Sequence, residues 1–259
     1  MSDAAPLRAF RLTGPGAAAA LDRLHVHADV AGVLEQDAAL TVWLRGALPD
    51  LEALAVVATE LPAEVAAAAA TGLEHDRAIV VVPGLLVRPP WVPRPAGYTG
   101  IELVVPRAMA FGSGEHASTQ AALRCLHAHW RAPASFADIG TGSGILALYA
   151  TVRGCPHVLA CDVDPLATAA AAALLPGATV TLGGAETLPA AADCVVANLT
   201  CAELLAALPA ILAKWNRRAP LVLAGTRGDE PLQVQDRMRR PPNGRITVGD
   251  FHGLVFDGC

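Results

Sequence analysis

The 259-residue sequence contains no apolar run that approaches the roughly 18 residues a membrane-spanning helix requires, because Gly, Pro or a charge interrupts each one. The chain starts Met-Ser-Asp-Ala-Ala-Pro, without a basic segment followed by an apolar one, so no secretory signal is expected. The six cysteines, at 125, 155, 161, 194, 201 and 259, include no Cys-x-x-Cys pair, and several fall in apolar segments. They read as free thiols serving as small core hydrophobes, and a cytoplasmic location is expected. A basic stripe is also missing. The formal net charge is −5, and the densest arginine groups (Arg217-Arg218, and Arg237 with Arg239-Arg240) are short, so no direct nucleic-acid partner is expected. His127 and His129 lie two apart on a predicted helix and do not face each other, so no metal site is expected.

What the sequence does have is alanine, which inflates the 53 % hydrophobic content through runs such as Ala17–Ala20 and Ala66–Ala70. The length suffices for one large domain or two modest ones. Residues 1–60 alternate short strand-like and helix-like pieces: Leu7–Leu12 as a strand, Gly16–Leu24 as a helix, Leu40–Leu44 as a strand, and Asp50–Glu60 with an N-cap and helical periodicity. This predicts a small α+β lobe. Residues 61–98 read as a connection, with a helix over 62–77 and the proline-dense Pro89-Pro90-Trp-Val-Pro93-Arg-Pro95 crossing the surface.

The remaining chain, 99–259, carries most of its length in strand–helix alternation. Strands are predicted at Ser135–Asp138, Val158–Cys161, Ala178–Leu182, Asp193–Ala197 and Leu221–Ala224. Helices are predicted at Ser118–Trp130, Ile145–Arg153, Pro165–Leu174 and Ala202–Ala213, and two closing strands at Arg245–Val248 and Leu254–Asp257. Short, nearly continuous apolar strands argue for an α/β fold, a mainly parallel sheet covered on both faces.

Within that alternation, strand Ser135–Asp138 runs into Gly140, Gly142 and Gly144, and a helix opens at Ile145. Glycines let a backbone turn tightly and approach a ligand, and a helix start presents free N–H groups. A dinucleotide fingerprint would place glycine at 145 rather than 144, which disfavours NAD. Asp138 is expected to aim its carboxylate over the loop toward an ammonium. Asp162, 22 residues beyond Gly140, ends the next strand where an acid chelates ribose hydroxyls. Asp164-Pro165 starts the following helix, with Asp164 as its cap.

Asn198 directly follows an apolar strand, so it is expected in the ligand crevice, unless it caps the helix after it. Its amide offers an acceptor for an amine nucleophile and donors for a cofactor. The loop Ala110-Phe-Gly-Ser-Gly-Glu-His-Ala-Ser-Thr119 lacks the Lys-Ser/Thr ending of a phosphate loop. Phe111 is expected to pack on a ligand there and the Thr119 hydroxyl to reach it, while His116 stabilises the loop.

These pieces together resemble the ribosomal protein L11 methyltransferase (PrmA) family of class I methyltransferases. A hallmark of the type Ala-Phe-Gly-Thr-Gly-x-His-x-Thr-Thr is matched by Ala110–Thr119, the cofactor loop by Asp138–Ala147, an Asp-Ile-Asp-Pro element by Asp162-Val-Asp-Pro165, and Val-Ala-Asn-Leu by Val196–Leu199. The resemblance runs from about Val105 to Ala213. It implies a Rossmann-like sheet with an antiparallel closing strand, an N-terminal ferredoxin-like domain that grips the substrate, and S-adenosylmethionine as cofactor. Contacts to the cofactor are implied from Thr119, Gly140, Asp162 and Asn198, alongside the Asp138, Gly142 and Phe111 read from the loops. Implied as substrate are the lysine ε-amines and terminal α-amine of a large-subunit ribosomal protein, and a monomer is expected.

The sequence departs from the family at Gly72-Leu-Glu-His-Asp-Arg77, Ala224-Gly-Thr-Arg227 and Gly249-Asp-Phe-His-Gly253, which lacks the customary tryptophan. The departures leave open a methyltransferase of the same build with another protein or a small molecule as substrate, or a silent ribosome-assembly binding protein. No His/Asp or paired-carboxylate set offers a strong base. Alignment of the reactants, which can contribute about 7–11 kcal/mol, is expected to dominate, with Asn198 orienting the amine.

Overall fold

The computed structural model describes residues 7–36, 39–61, 77–90, 92–106 and 114–258, and the chain divides into two compact units, Met1–Asp76 and Arg77–Cys259. In the first unit, β1 (Leu7–Thr13), α1 (Ala17–His27), β2 (Asp29–Gln36), β3 (Ala39–Arg45) and β4 (Val57–Glu60) build a sheet of order β2-β3-β1-β4, each neighbouring pair antiparallel. This is the strand order of a ferredoxin-like split β-α-β arrangement. Phe10, Leu12, Leu24, Val42 and Leu44 form its core.

The helical periodicity over Asp50–Glu60 does not become a helix. A 3-10 turn covers only Glu52–Leu54, Ala55 takes the left-handed conformation at φ 48°, and Val57–Glu60 pairs with β1. Here β-branched residues beside a free sheet edge gain more from the ladder than from another helical turn.

The second unit opens with β5 (Ile79–Val82), β6 (Leu85–Arg88) and β7 (Ile101–Val104), a three-stranded sheet. Residues 79–88 therefore group with this unit rather than standing between two domains, and the helix expected over 62–77 falls almost wholly outside the described residues.

There follow α2 (Ala117–Ala128), β8 (Ser135–Ile139), α3 (Ile145–Val152), β9 (His157–Asp162), α4 (Pro165–Leu174), β10 (Thr179–Leu182), β11 (Cys194–Asn198), α5 (Cys201–Ala213), β12 (Leu221–Arg227), α6 (Glu230–Met238), β13 (Gly244–Val248) and β14 (Phe251–Phe256). The sheet order is β10-β9-β8-β11-β12-β14-β13, parallel from β10 to β12, with β14 antiparallel to both its neighbours. This is the Rossmann-like sheet of class I methyltransferases with its antiparallel closing strand.

Strand alternation divides the core in two. Phe136, Ala160, Val196 and Val222 face one side with residues of α2, α3 and α4, whereas Ala137, Leu159, Val195 and Leu223 face the other with residues of α5 and α6. Helix α6 is short and polar and buries only Pro231 and Val234, one turn apart, and it is not among the helices predicted from the sequence.

Candidate active site

Connections from β8 lead outward through β9 to β10, while those from β11 lead the other way to β12, so the order reverses between β8 and β11. Ligands of open α/β sheets bind above such a switch point, at the carboxyl ends of the strands. A cleft of about 620 Å³ lies there, lined by Ile139, Gly140, Gly142, Asp162, Val163, Gly183–Glu186, Asn198–Thr200, Glu203, Gly225, His116 and Phe251, with the small face of α5 (Ala206, Ala207, Ala210).

The loop after β8 needs its glycines for different reasons. Gly140 (φ 71°), Gly142 (φ 55°) and Gly144 (φ 87°) are all left-handed, the region that favours glycine. A Cβ on Gly140 would lie 2.3 Å from the Leu199 side chain, and one on Gly144 would press on Ala171 and Leu175 of α4 and the residue after it. Gly144 thus lets α3 start close against α4.

Asp138 does not reach over the loop as expected. Strand period places its side chain on the same face as Phe136, beneath α3, where it is fully buried and does not line the cleft. Its Oδ2 accepts from Thr141 Oγ1 at 2.7 Å and from the Ala147 amide at 3.1 Å, tying the loop to α3. Burial pushes this carboxyl up to about 7, opposed by those two bonds and aided by the charge of Asp162.

A carboxyl whose pKa is raised by folding stabilises the protein in full below its ordinary 3.8, and that contribution is lost as pH rises through about 7. The melting temperature of the parent should therefore fall by several degrees relative to Asp138→Asn between pH 5 and pH 8. Melting curves that stay parallel over that range would mean the buried carboxyl is not protonated.

Asp162 ends β9 at the cleft. Its Oδ2 accepts from the Gly142 amide at 2.8 Å and its Oδ1 from the Asp164 amide at 3.0 Å, while Asp164 caps α4 through Leu166 N at 2.8 Å. A carboxylate has about four lone-pair sites, so two remain for a ligand.

Asn198 is the last residue of β11 and lies on the α2 face of the sheet. Its Nδ2 donates to Thr119 Oγ1 at 3.5 Å, and its Oδ1 is buried without a hydrogen-bond partner among the described residues. Thr119 itself is buried behind Asn198 and does not line the cleft. Nor does Asn198 cap the next helix. That role falls to Thr200, which forms a reciprocal capping box with Glu203. Phe111 lies outside the described residues.

A family model described as ribosomal protein L11 methyltransferase (PrmA) matches residues 79–242. Curated relatives with that name include one from Dechloromonas aromatica, 32% identical over 82% of this chain and 76% of its own length. Another, from Syntrophotalea carbinolica, is 30% identical over 75% of this chain and 66% of its own length. The chain belongs to the ribosomal protein L11 methyltransferase family.

As a member of that family it is an S-adenosylmethionine-dependent methyltransferase. Its fold agrees: the crystal structure of a ribosomal protein L11 methylase from Lactobacillus delbrueckii subsp. bulgaricus superposes with a TM-score of 0.64 at 24% identity, covering 70% of this chain and 98% of that one.

The site fits the family's cofactor on its own geometry. The cleft is roomy, the Gly140 backbone is bare toward it, Asp162 keeps acceptor capacity, and the orphaned Asn198 oxygen sits at the switch point. Several lining residues come from places the motifs do not mark. Phe251, from the closing hairpin, packs edge-on to His116 with ring centroids 4.7 Å apart, and Glu186 follows β10. Thr200 and Glu203 did carry a signal, the Thr-x-x-Glu spacing of a capping box before an apolar run.

Proposed function

We propose that this enzyme transfers methyl groups from S-adenosylmethionine to amines, the lysine ε-amines and terminal α-amine, of a large-subunit ribosomal protein. The buried, unpartnered Asn198 Oδ1 carries this reading, because it is an acceptor positioned for the N–H of an incoming amine. It acts as a monomer and works in the cytoplasm. Residues 1–60 serve as the substrate-gripping domain, and the unit that begins at Arg77 serves as the catalytic domain. No helix among the described residues is long and apolar enough to cross a membrane.

S-adenosylmethionine, when bound, supplies an electrophilic methyl on a sulfonium. Everything else is positioning. The Gly140 and Gly142 backbone would lie against it, and Asp162 would accept from its ribose hydroxyls. Asp138 holds the loop from behind. Thr119 holds the Asn198 amide, whose Oδ1 would accept from the amine and orient its nitrogen. A lysine amine is mostly protonated at neutral pH, so the cleft must favour its neutral form by removing water around it.

Asp162→Ala removes two lone-pair acceptors and the anchor of the Gly142 amide. Hydrogen bonds to a charged group contribute about 1.5–3 kcal/mol, so calorimetry should show the Kd for S-adenosylmethionine rising about 10- to 100-fold. An unchanged Kd would remove Asp162 from the cofactor site.

The substrate assignment is tested by incubating the enzyme with labelled S-adenosylmethionine and unmethylated ribosomal proteins, followed by mass spectrometry. Label on a single large-subunit protein is the expected result. Label on none of them would overturn the substrate and leave the cofactor standing.

A further inference from the structure

The two short arginine groups that are far apart in the sequence meet in the fold. The loop between α5 and β12 holds Trp215, Arg217 and Arg218, and the loop between α6 and β13 holds Arg239 and Arg240. Trp215 is buried, its Nε1 donating to Ala219 O at 2.7 Å, so its ring is fixed. Arg217 and Arg240 both stack on that one ring, at 5.7 and 5.6 Å from its centroid. Arg240 is committed further, donating to Asp257 O and lying over Phe256, while Arg217, Arg218 and Arg239 are exposed.

Topology places these loops at one pole of the second unit. These loops lie at the amino ends of the parallel strands, as does Arg131 between α2 and β8, so β12 separates them from the cleft by about 20 Å. Among the described residues the acids at this end are Asp193, Asp236 and Asp257. Asp193 is buried, accepts from Ala134 N and Asn216 Nδ2 and lies 3.9 Å from the outward-reaching Arg218, Asp257 pairs with Arg131 at 3.0 Å, and Asp236 is exposed on the last turn of α6. At the carboxyl ends the balance inverts, with Asp162, Glu186, Glu203, Asp229 and Asp250 against Arg227. A chain of net charge −5 thus keeps a face on which arginines outnumber acids.

We infer that this face binds the phosphodiester backbone of RNA, with Arg217, Arg218 and Arg239 as the phosphate contacts. A guanidinium planar and held against an indole presents its N–H fork outward with little entropy left to lose, which suits phosphate oxygens. The choice of RNA rests on the proposed ribosomal substrate, because such a protein is met beside RNA. Binding at the pole opposite the cleft leaves the active site open to the protein amine.

The test is fluorescence anisotropy of the full chain with a labelled RNA hairpin between 50 and 200 mM salt, comparing the parent with an Arg217→Gln, Arg218→Gln, Arg239→Gln triple variant of verified melting temperature. Expected for the parent is salt-sensitive binding, and for the variant an affinity at least about tenfold lower at 50 mM with the log–log salt slope reduced by about two. Arg227→Gln at the other pole should bind RNA like the parent, and the triple variant should methylate free ribosomal protein like the parent. Parent binding no tighter than that of an acidic control protein, an unchanged slope in the triple variant, or binding to phosphatidylglycerol vesicles in place of RNA would overturn the inference. Because anisotropy needs no turnover, a parent that methylates ribosomal protein but binds no RNA rejects only this inference, and a parent that binds RNA but methylates no ribosomal protein rejects only the substrate reading.

Discussion

Asn198→Ala is expected to lower kcat about 100-fold while changing the Kd for S-adenosylmethionine by no more than a few fold. The reasoning starts from the strand. β11 ends at the switch point, and strand alternation turns Asn198 to the α2 face, where Thr119 takes one end of the amide. The other end, Oδ1, is buried with no partner among the described residues. Burying an unsatisfied acceptor costs about 1–3 kcal/mol, a cost that persists in a free enzyme only if something recovers it in the complex.

An amine N–H recovers it, and at that moment its nitrogen is also aligned. Losing a positioned hydrogen-bonding group in an active site typically costs about 10²–10³ in turnover, which sets the size of the expected effect. Cofactor affinity moves little, because the glycine loop and Asp162 hold the cofactor from the other side. Thr119→Val, which removes only the anchor of the amide, should reproduce a smaller loss of the same kind. Single-turnover rates beside calorimetric affinities separate the two quantities. Turnover within threefold of the parent in Asn198→Ala would remove this residue from the mechanism.

Much of the site is legible in the sequence where its grammar is local. Ser135–Ile145 is strand, turn and helix start in adjacent residues, and Asp162 ends the next strand, so Gly140, Gly142 and Asp162 line the cleft. Asp138 shows how a correct element yields a wrong direction. Its strand is right, but counting in twos from the buried Phe136 puts the carboxyl under α3 and not over the loop. What the sequence cannot show is what the sheet brings together. Phe251 reaches the cleft only because β14 folds back beside β12, and Arg217 meets Arg240 only because both adjoin one indole. Neither contact leaves a mark on nearby residues.

The same limit explains β4. Its residues read as a helix in isolation, and the free edge of β1 that claims them lies far away in the chain. Local preference decides where nothing long-range competes, as in α4, whose Asp164 cap and Pro165 start are both visible in the sequence and both observed.

Gly225→Ala should be a strongly damaging single methyl group in the catalytic unit. Gly225 lies at a register shift of β12 against β14, between Ala224 and Thr226, with φ at 96°. A Cβ there would sit 2.0 Å from the carbonyl oxygen of Leu199, a backbone atom next to Asn198. Leu199 cannot turn aside as a side chain would, because its amide already donates to Ala224 O at 3.1 Å. Strain and overpacking together cost about 2–4 kcal/mol, which for a chain of this size lowers the melting temperature by roughly 5–10 °C.

The functional loss should exceed what that instability explains. Pushing Leu199 displaces Asn198, and a misplacement of about 1 Å costs on the order of 10²-fold in rate. Gly228→Ala supplies the control, since its φ is 53° and nothing lies within 4 Å of the added Cβ. It should show a small loss of stability and near-parental turnover at 25 °C. If both variants lose turnover only in proportion to their loss of folded protein, then Gly225 does not hold Asn198 in place, and the amide keeps its position without the close approach of β12 to Leu199.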